Sequence, residues 1–506
     1  MSQGVLPFKY EEDKNDGGMT ALGGLPVYLD LINVIGLSKS IQRYLKVKEE
    51  CQGWTDAQIV ISLVLLNIAG GTSVSDLNVL EGDKGFCEIL GKTECYGLKR
   101  KVKRALKRRW RKEKKRTLPS PTAVFRYLSS FHESQEKPSD VRAYIPEANE
   151  YLKGFTHVNN DVIKFLQFQS TVRIATLDMD ATLVETNKKD ALYCYKGFKS
   201  YQPLNTWWAE HEVIVHTEFR DGNVPAGFEQ LRVFKEALES LPEGVEKVRL
   251  RSDTAGYQHD LLRYCDTGEN ERFGRIEFAI GCDVTPSFKQ AVSEVEEYQW
   301  KPIYKIIRGK KVKTKTEWAE VCFVPNAICN SKKGCEYRYI AKREEIEEQL
   351  ELPGMESQLK LPFPSIEKEG KRYKVFGLVT NMKEDGESLI HWLHARCGKS
   401  EEAHSVMKED LSGGKLPSGD FGENAAWWWI MILSLNLNGI MKKLALGGSW
   451  VQKRMKAIRF SVVNIAGRII NHSRGLLVKL SKAHPSLDLL MSARNKIAML
   501  KPLPAP

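Results

Sequence analysis

The chain has no C-x2-C pair. Its ten cysteines are scattered over 506 residues, and no histidine stands at zinc-finger spacing from Cys322, Cys329 and Cys335, the closest cluster. That argues against a zinc module and suits reduced thiols in a cytoplasmic protein. The opening MSQGVLPFKYEEDKNDGG is polar and lacks the basic-then-apolar order of a secretory signal. No run is long and apolar enough for a bilayer. AAWWWIMILSLNLNGIM is too short and carries Asn436 and Asn438, so it predicts a buried helix and no membrane contact. Acid is the scarcer charge: 64 Asp and Glu against 76 Lys and Arg give a net charge of +12, which favours a polyanionic partner. Hydrophobic content of 42% supports a sizeable core, and the length allows two or three domains.

Against that background the stretch RIATLDMDATLVET, residues 173–186, stands out. It is apolar and β-branched, reads as a buried strand, and carries Asp178 and Asp180. Carboxylates are seldom buried unless paired or bound to a metal. Two residues apart on a strand, these two point to one face, and either can be the functional acid. KVRLRSDTAGYQHDLL, residues 247–262, is a second short strand ending in Asp253, the position where open α/β sheets place their sites. Alone, such an acid is equally a turn former. HWLHARCGKSEEAHSVMKEDL, residues 391–411, predicts one helix carrying Glu401, His404, Ser405 and Lys408 on one face, with Glu402 beside them. Two strand aspartates and a helix glutamate can hold two divalent ions, an arrangement suited to in-line phosphoryl displacement on DNA.

With those motifs in view, the chain resembles a bacterial insertion-sequence transposase of the DDE class. Asp180-Ala181-Thr182 matches a D-x-T strand motif. Arg251, Asp253, Gly256 and Tyr257 match R-x-D-x-x-[GF]-[FY]. Glu401 and Lys408 match the E-x6-K half of the third motif, while His394 and Cys397 replace its Tyr and Arg, with Arg396 one place off. GGKLPSGDFGENAAWW is similar to one subgroup. The resemblance implies an RNase H-like α/β core, a mixed sheet flanked by helices, with a β-rich insertion and an α-helical N-terminal DNA-binding domain. It implies Asp180, Asp253 and Glu401 as catalytic metal ligands, with Asp178 and Glu402 as alternative acids. Two Mg²⁺ ions, replaceable by Mn²⁺, are the implied cofactors. The implied partners are double-stranded DNA, as element ends and target, and a second copy on paired ends; the implied location is the cytoplasm, at the nucleoid. An RNase H-like structure-specific nuclease and a non-catalytic domesticated DNA-binding protein are the alternatives.

The expected organisation is a helical DNA-binding region over 1–170, catalytic core over 171–297, β-rich insertion over 298–380, second core part over 381–480 and a C-terminal tail over 481–506. LKRKVKRALKRRWRKEKKR, residues 98–116, has Glu113 as its only acid, and so dense a like-charge run needs a counter-charge such as DNA phosphate. Arg104, Arg108 and Arg109 in it are expected to meet DNA. LPSPTAVFRYLSSF, 118–131, reads as a short helix presenting Arg126, similar to a recognition helix. Lys313, Lys408 and Arg396 are expected to face phosphates, Tyr257 to lie at the DNA, and Trp318 to stack on a flipped base or pack in the core.

Overall fold

The strand predicted around Asp180 is the middle one of a five-stranded core. The computed structural model describes residues 18–48, 53–96, 99–104, 116–135, 143–325, 337–346, 363–472 and 475–503. The five strands form one end of a larger sheet: β1 (Ile174–Ala181), β2 (Leu204–Trp208), β3 (Val213–Glu218), β4 (Lys247–Ser252) and β5 (Glu277–Cys282). β1 pairs antiparallel with β2 and parallel with β4; β3 flanks β2 antiparallel, and β5 flanks β4 in parallel. The spatial order is therefore 3-2-1-4-5 with β2 alone reversed, the RNase H-like arrangement. β1 reads as an unbroken apolar run because it is covered on both faces: Ala175, Leu177 and Met179 are fully buried, and Thr176 and Asp178 nearly so.

The β-rich segment does not form a sheet of its own. β6 (Lys301–Ile307), β7 (Lys310–Val321), β8 (Arg338–Glu345) and β9 (Lys371–Thr380) extend the same sheet antiparallel, with β9 hydrogen-bonded to β5. The edge of the core is thereby paired instead of exposed.

Helices pack on both the core and each other. α1 (Asp56–Ala69) opens with a capping box between Thr55 and Gln58, and α2 (Glu150–Gln169) with the Asn149 side chain on the Leu152 N–H. The single helix expected over 391–411 is broken at Gly398, whose φ of 80° only glycine adopts readily. It becomes α3 (Gly386–His394) and α4 (Lys399–Ser405), followed by a π-turn over Val406–Asp410.

α5 (Phe421–Ile440) is the tryptophan-rich run. Every residue of it from Gly422 onward is buried, and it packs against α1, α2 and β3. Its polar groups are satisfied. Asn436 accepts from the Ile214 N–H and donates to Asn159 and the Ile214 carbonyl, each at 2.8 Å, and Asn438 accepts from the Tyr28 hydroxyl at 2.8 Å.

A helix apolar on all sides needs partners on all sides, and here they come from the N-terminal helices as well as the sheet. One continuous core runs from Leu25 to Ile497, so the described N-terminal helices pack into the same body as the sheet. The expected tail carries α6 (Leu487–Met499), which packs on the helix Pro26–Ile35. The hairpin Gly467–His472 and Gly475–Lys479 also takes Met19–Thr20 as a third strand. Among the described residues no single helix is long and apolar enough to cross a membrane.

Candidate active site

β1 and β4 are adjacent and parallel, so their C-terminal ends share one sheet edge. Each end carries an acid. Asp180 is the penultimate residue of β1, and Asp253 directly follows β4. Asp253 is exposed, and its carboxylate accepts the Ala255 N–H at 3.0 Å to start a short turn. The Asp180 side chain is 24% exposed and lies 3.3 Å from the Arg396 guanidinium. Burial pushes its pKa up to about 6; Arg396 pulls it down, and the charges of Asp253 and Asp178 push it up again. The two strand-end aspartates therefore lie within each other's field.

Asp178 is committed elsewhere. It lies opposite Arg251 in the β1–β4 ladder and accepts two bonds from that guanidinium, at 2.6 and 2.8 Å. Arg251 also donates to the Trp392 carbonyl at 2.7 Å and stacks over the Trp392 ring. Burial raises the Asp178 pKa, and the bond from Arg251 opposes that rise. A bidentate, buried pair leaves this carboxylate little capacity for a cation. The sequence carried the signal: an arginine two residues before a strand-end acid shares that acid's face, opposite the aspartate next door.

α4 runs toward the same edge. Lys408, beyond its end, donates to the Leu183 carbonyl at 3.3 Å, beside the D-x-T turn. His404 is held neutral, its pKa lowered to about 4 by burial and then by Lys408 and Arg396. Glu401 lies one turn before His404 on α4, and Lys408 falls within the π-turn over Val406–Asp410 that follows. Glu402 points away, into a recess lined with Lys442, Glu212 and Lys399. Both glutamates are exposed. Among the described residues, the ligand atoms of Asp180, Asp253 and Glu401 do not all come within 4.8 Å of one another. Asp180 and Asp253 still suit a divalent cation. They offer hard oxygen donors at one edge, one of them exposed, the other with an ionisation penalty that its arginine does not cancel.

A family model described as "Transposase DDE domain group 1" matches residues 11–502. The chain belongs to this family. Among solved structures, it is similar to a piggyBac transposase synaptic complex with hairpin DNA, at 9% identity and a TM-score of 0.42, over 97% of this chain and 89% of that one. No curated protein matches it. As a DDE transposase it is a DNA-binding enzyme of a class that uses divalent metal ions.

The transposase's expected DNA contacts divide on inspection. Arg104 and Arg126 are exposed on helical segments, and Lys313 is exposed on β7. Arg108, Arg109, Cys329 and Cys335 lie outside the described residues. Arg396 was expected at a phosphate but is buried, donating to the Met179 carbonyl at 3.2 Å as well as facing Asp180. Trp318 is 4% exposed, and a Cβ on Gly386 would lie 2.2 Å from its ring, so the indole packs against the first turn of α3. Tyr257 is half-buried, with its hydroxyl 3.0 Å from that of Tyr339.

Proposed function

We propose that the chain binds the terminal inverted repeats of an insertion sequence and catalyses two-metal-ion strand cleavage and strand transfer, with Asp180, Asp253 and Glu401 as the metal-holding acids. The observation that carries this reading is the shared edge: Asp180 and Asp253 end adjacent parallel strands, and Arg251 removes Asp178 from contention. Mg²⁺, or Mn²⁺ in its place, would be held there and would supply activation of water or a 3′-OH and stabilisation of the leaving oxygen. Arg396 positions the Asp180 carboxylate from behind, and Lys408 steadies the turn after it. Glu401 is preferred to Glu402 because its spacing to Lys408 matches the E-x6-K half of the third motif. The exposed Arg104, Arg126 and Lys313, together with the basic charge of the 98–116 run that includes Arg108 and Arg109, hold phosphates and set register. Assembly as a homodimer on paired ends and passage through hairpin ends belong to the same reading.

The test is incubation with a labelled element end and Mg²⁺, resolved on a denaturing gel. Asp180→Asn, Asp253→Asn and Glu401→Gln should each lower cleavage by ~10³-fold or more, with end binding retained, and Glu402→Gln should change it by less than ~3-fold. Wild type should join a 3′-OH end to target DNA, which a simple nuclease does not. Full cleavage by Asp253→Asn, or loss in Glu402→Gln but not Glu401→Gln, overturns the assignment.

A further inference from the structure

A second group of metal-capable side chains lies outside the Asp180–Asp253 edge. His132, Asp190 and Asp420 come from three distant segments, and their ligand atoms all lie within 4.8 Å of one another. Atoms bound at about 2.0–2.2 Å to one tetrahedral ion lie roughly 3.5 Å apart, so a closure of about 1 Å brings the three onto one ion.

The segments are locked together by backbone. The Asp190 N–H donates to the Gly419 carbonyl at 3.2 Å, and a Cβ on Gly422 would lie 2.1 Å from the Phe131 carbonyl oxygen. Only glycine lets the start of α5 approach the His132 segment this closely.

Four further observations point to a cation. Asp190 and Asp420 are like charges at close range, yet among the described residues neither forms an ion pair, although Lys189 lines the same cavity. The cavity, of about 330 Å³, gives a bound ion room for water. The fully buried Tyr201 hydroxyl forms no well-shaped hydrogen bond, although the Asn424 amide adjoins it. Burial raises its pKa, Asn424 lowers it, and Asp221, Asp190 and Asp420 raise it again, so this phenol lies in the field of the same carboxylates. His132 Nδ1 accepts only a long 3.3 Å bond from the Gly422 N–H. A ring nitrogen held by so weak a bond can exchange it for a cation, and imidazole is a common metal ligand.

We infer that His132, Asp190 and Asp420 form a second, non-catalytic site for a divalent transition metal of the zinc type, which clamps the His132 segment to the catalytic body. One imidazole and two carboxylates suit such an ion better than Mg²⁺ or Ca²⁺, which prefer oxygen alone.

The test is titration of the full chain with Zn²⁺ by calorimetry under reducing conditions, alongside thermal melting. Wild type should take up a zinc ion that raises its melting temperature by ~2 °C or more. His132→Gln and Asp190→Asn should each weaken that binding by at least ~10-fold. Asp190 caps no helix, so its near-isosteric amide tests the site without disturbing an element. The double variant Asp180→Asn, Asp253→Asn should keep the zinc ion, which separates this site from the catalytic acids. Unchanged stoichiometry and affinity in Asp190→Asn, or loss of the ion in the double variant, overturns the proposal.

Discussion

Asp180→Asn should make the metal-free protein more stable while abolishing cleavage. The carboxyl is raised from 3.8 to about 6 in the folded chain, so folding disfavours its ionised form. The sign follows: the penalty is absent well below pH 3.8, grows between 3.8 and 6, and is complete above 6. At 1.36 kcal/mol per pH unit, Asn should gain about 3 kcal/mol at pH 8, about 1.5 at pH 5 and about 0.5 at pH 4. Arg396 is already included, since its attraction opposes burial in setting that value. Denaturant melts of both proteins in EDTA across this range measure the difference, in which titrating groups not coupled to Asp180 cancel. Mg²⁺ should then stabilise wild type and leave the variant unmoved, because a ligand stabilises only the state that binds it. An Asn variant no more stable than wild type at pH 8, or with an equal advantage at pH 5 and pH 8, refutes the account of Asp180 as a carboxylate awaiting a cation.

Asp178→Ala should behave in the opposite way. It removes both acceptors of the buried Arg251 guanidinium, and chemical denaturation should show a loss of ~3–5 kcal/mol that does not depend on metal. Trp318→Ala should cost ~3–5 kcal/mol in the same assay, from the cavity left against Gly386 and β7, while affinity for element ends per folded molecule stays within ~2-fold. Lys313→Ala should leave stability alone and reduce the slope of log binding constant against log salt by about 1, if the exposed face of β7 meets phosphate; an unchanged slope removes it from the interface.

Much of the candidate site was legible before folding. Strand-borne acids are costly enough that their presence in an apolar run marks them, and the D-x-T and R-x-D spacings placed Asp180 and Asp253 correctly at strand ends. Less legible was which of Asp178 and Asp180 would be left for chemistry, because that depends on ladder register: Asp178 faces Arg251 only once β1 and β4 pair in parallel. Arg396 misled for the same kind of reason. A cation next to a motif acid reads equally as a phosphate contact or as a counter-ion, and burial made it the latter. The break at Gly398 was visible as a glycine after a cysteine but was outweighed by helical periodicity on both sides. Trp318 was ambiguous by composition, and Gly386, almost seventy residues away in sequence, decided it.

By itself the sequence determined the strands that carry Asp180 and Asp253, the buried helix over Phe421–Ile440 and the basic character of the chain. Local pattern, apolar periodicity and charge count are properties of neighbouring residues. Only the tertiary structure decided that the β-rich segment extends the core sheet, that the N-terminal helices and α6 share one core with the catalytic strands, and that His132 meets Asp190 and Asp420. Those depend on which distant surfaces cover one another, and a helix apolar on every side states that it must be enclosed without stating by what.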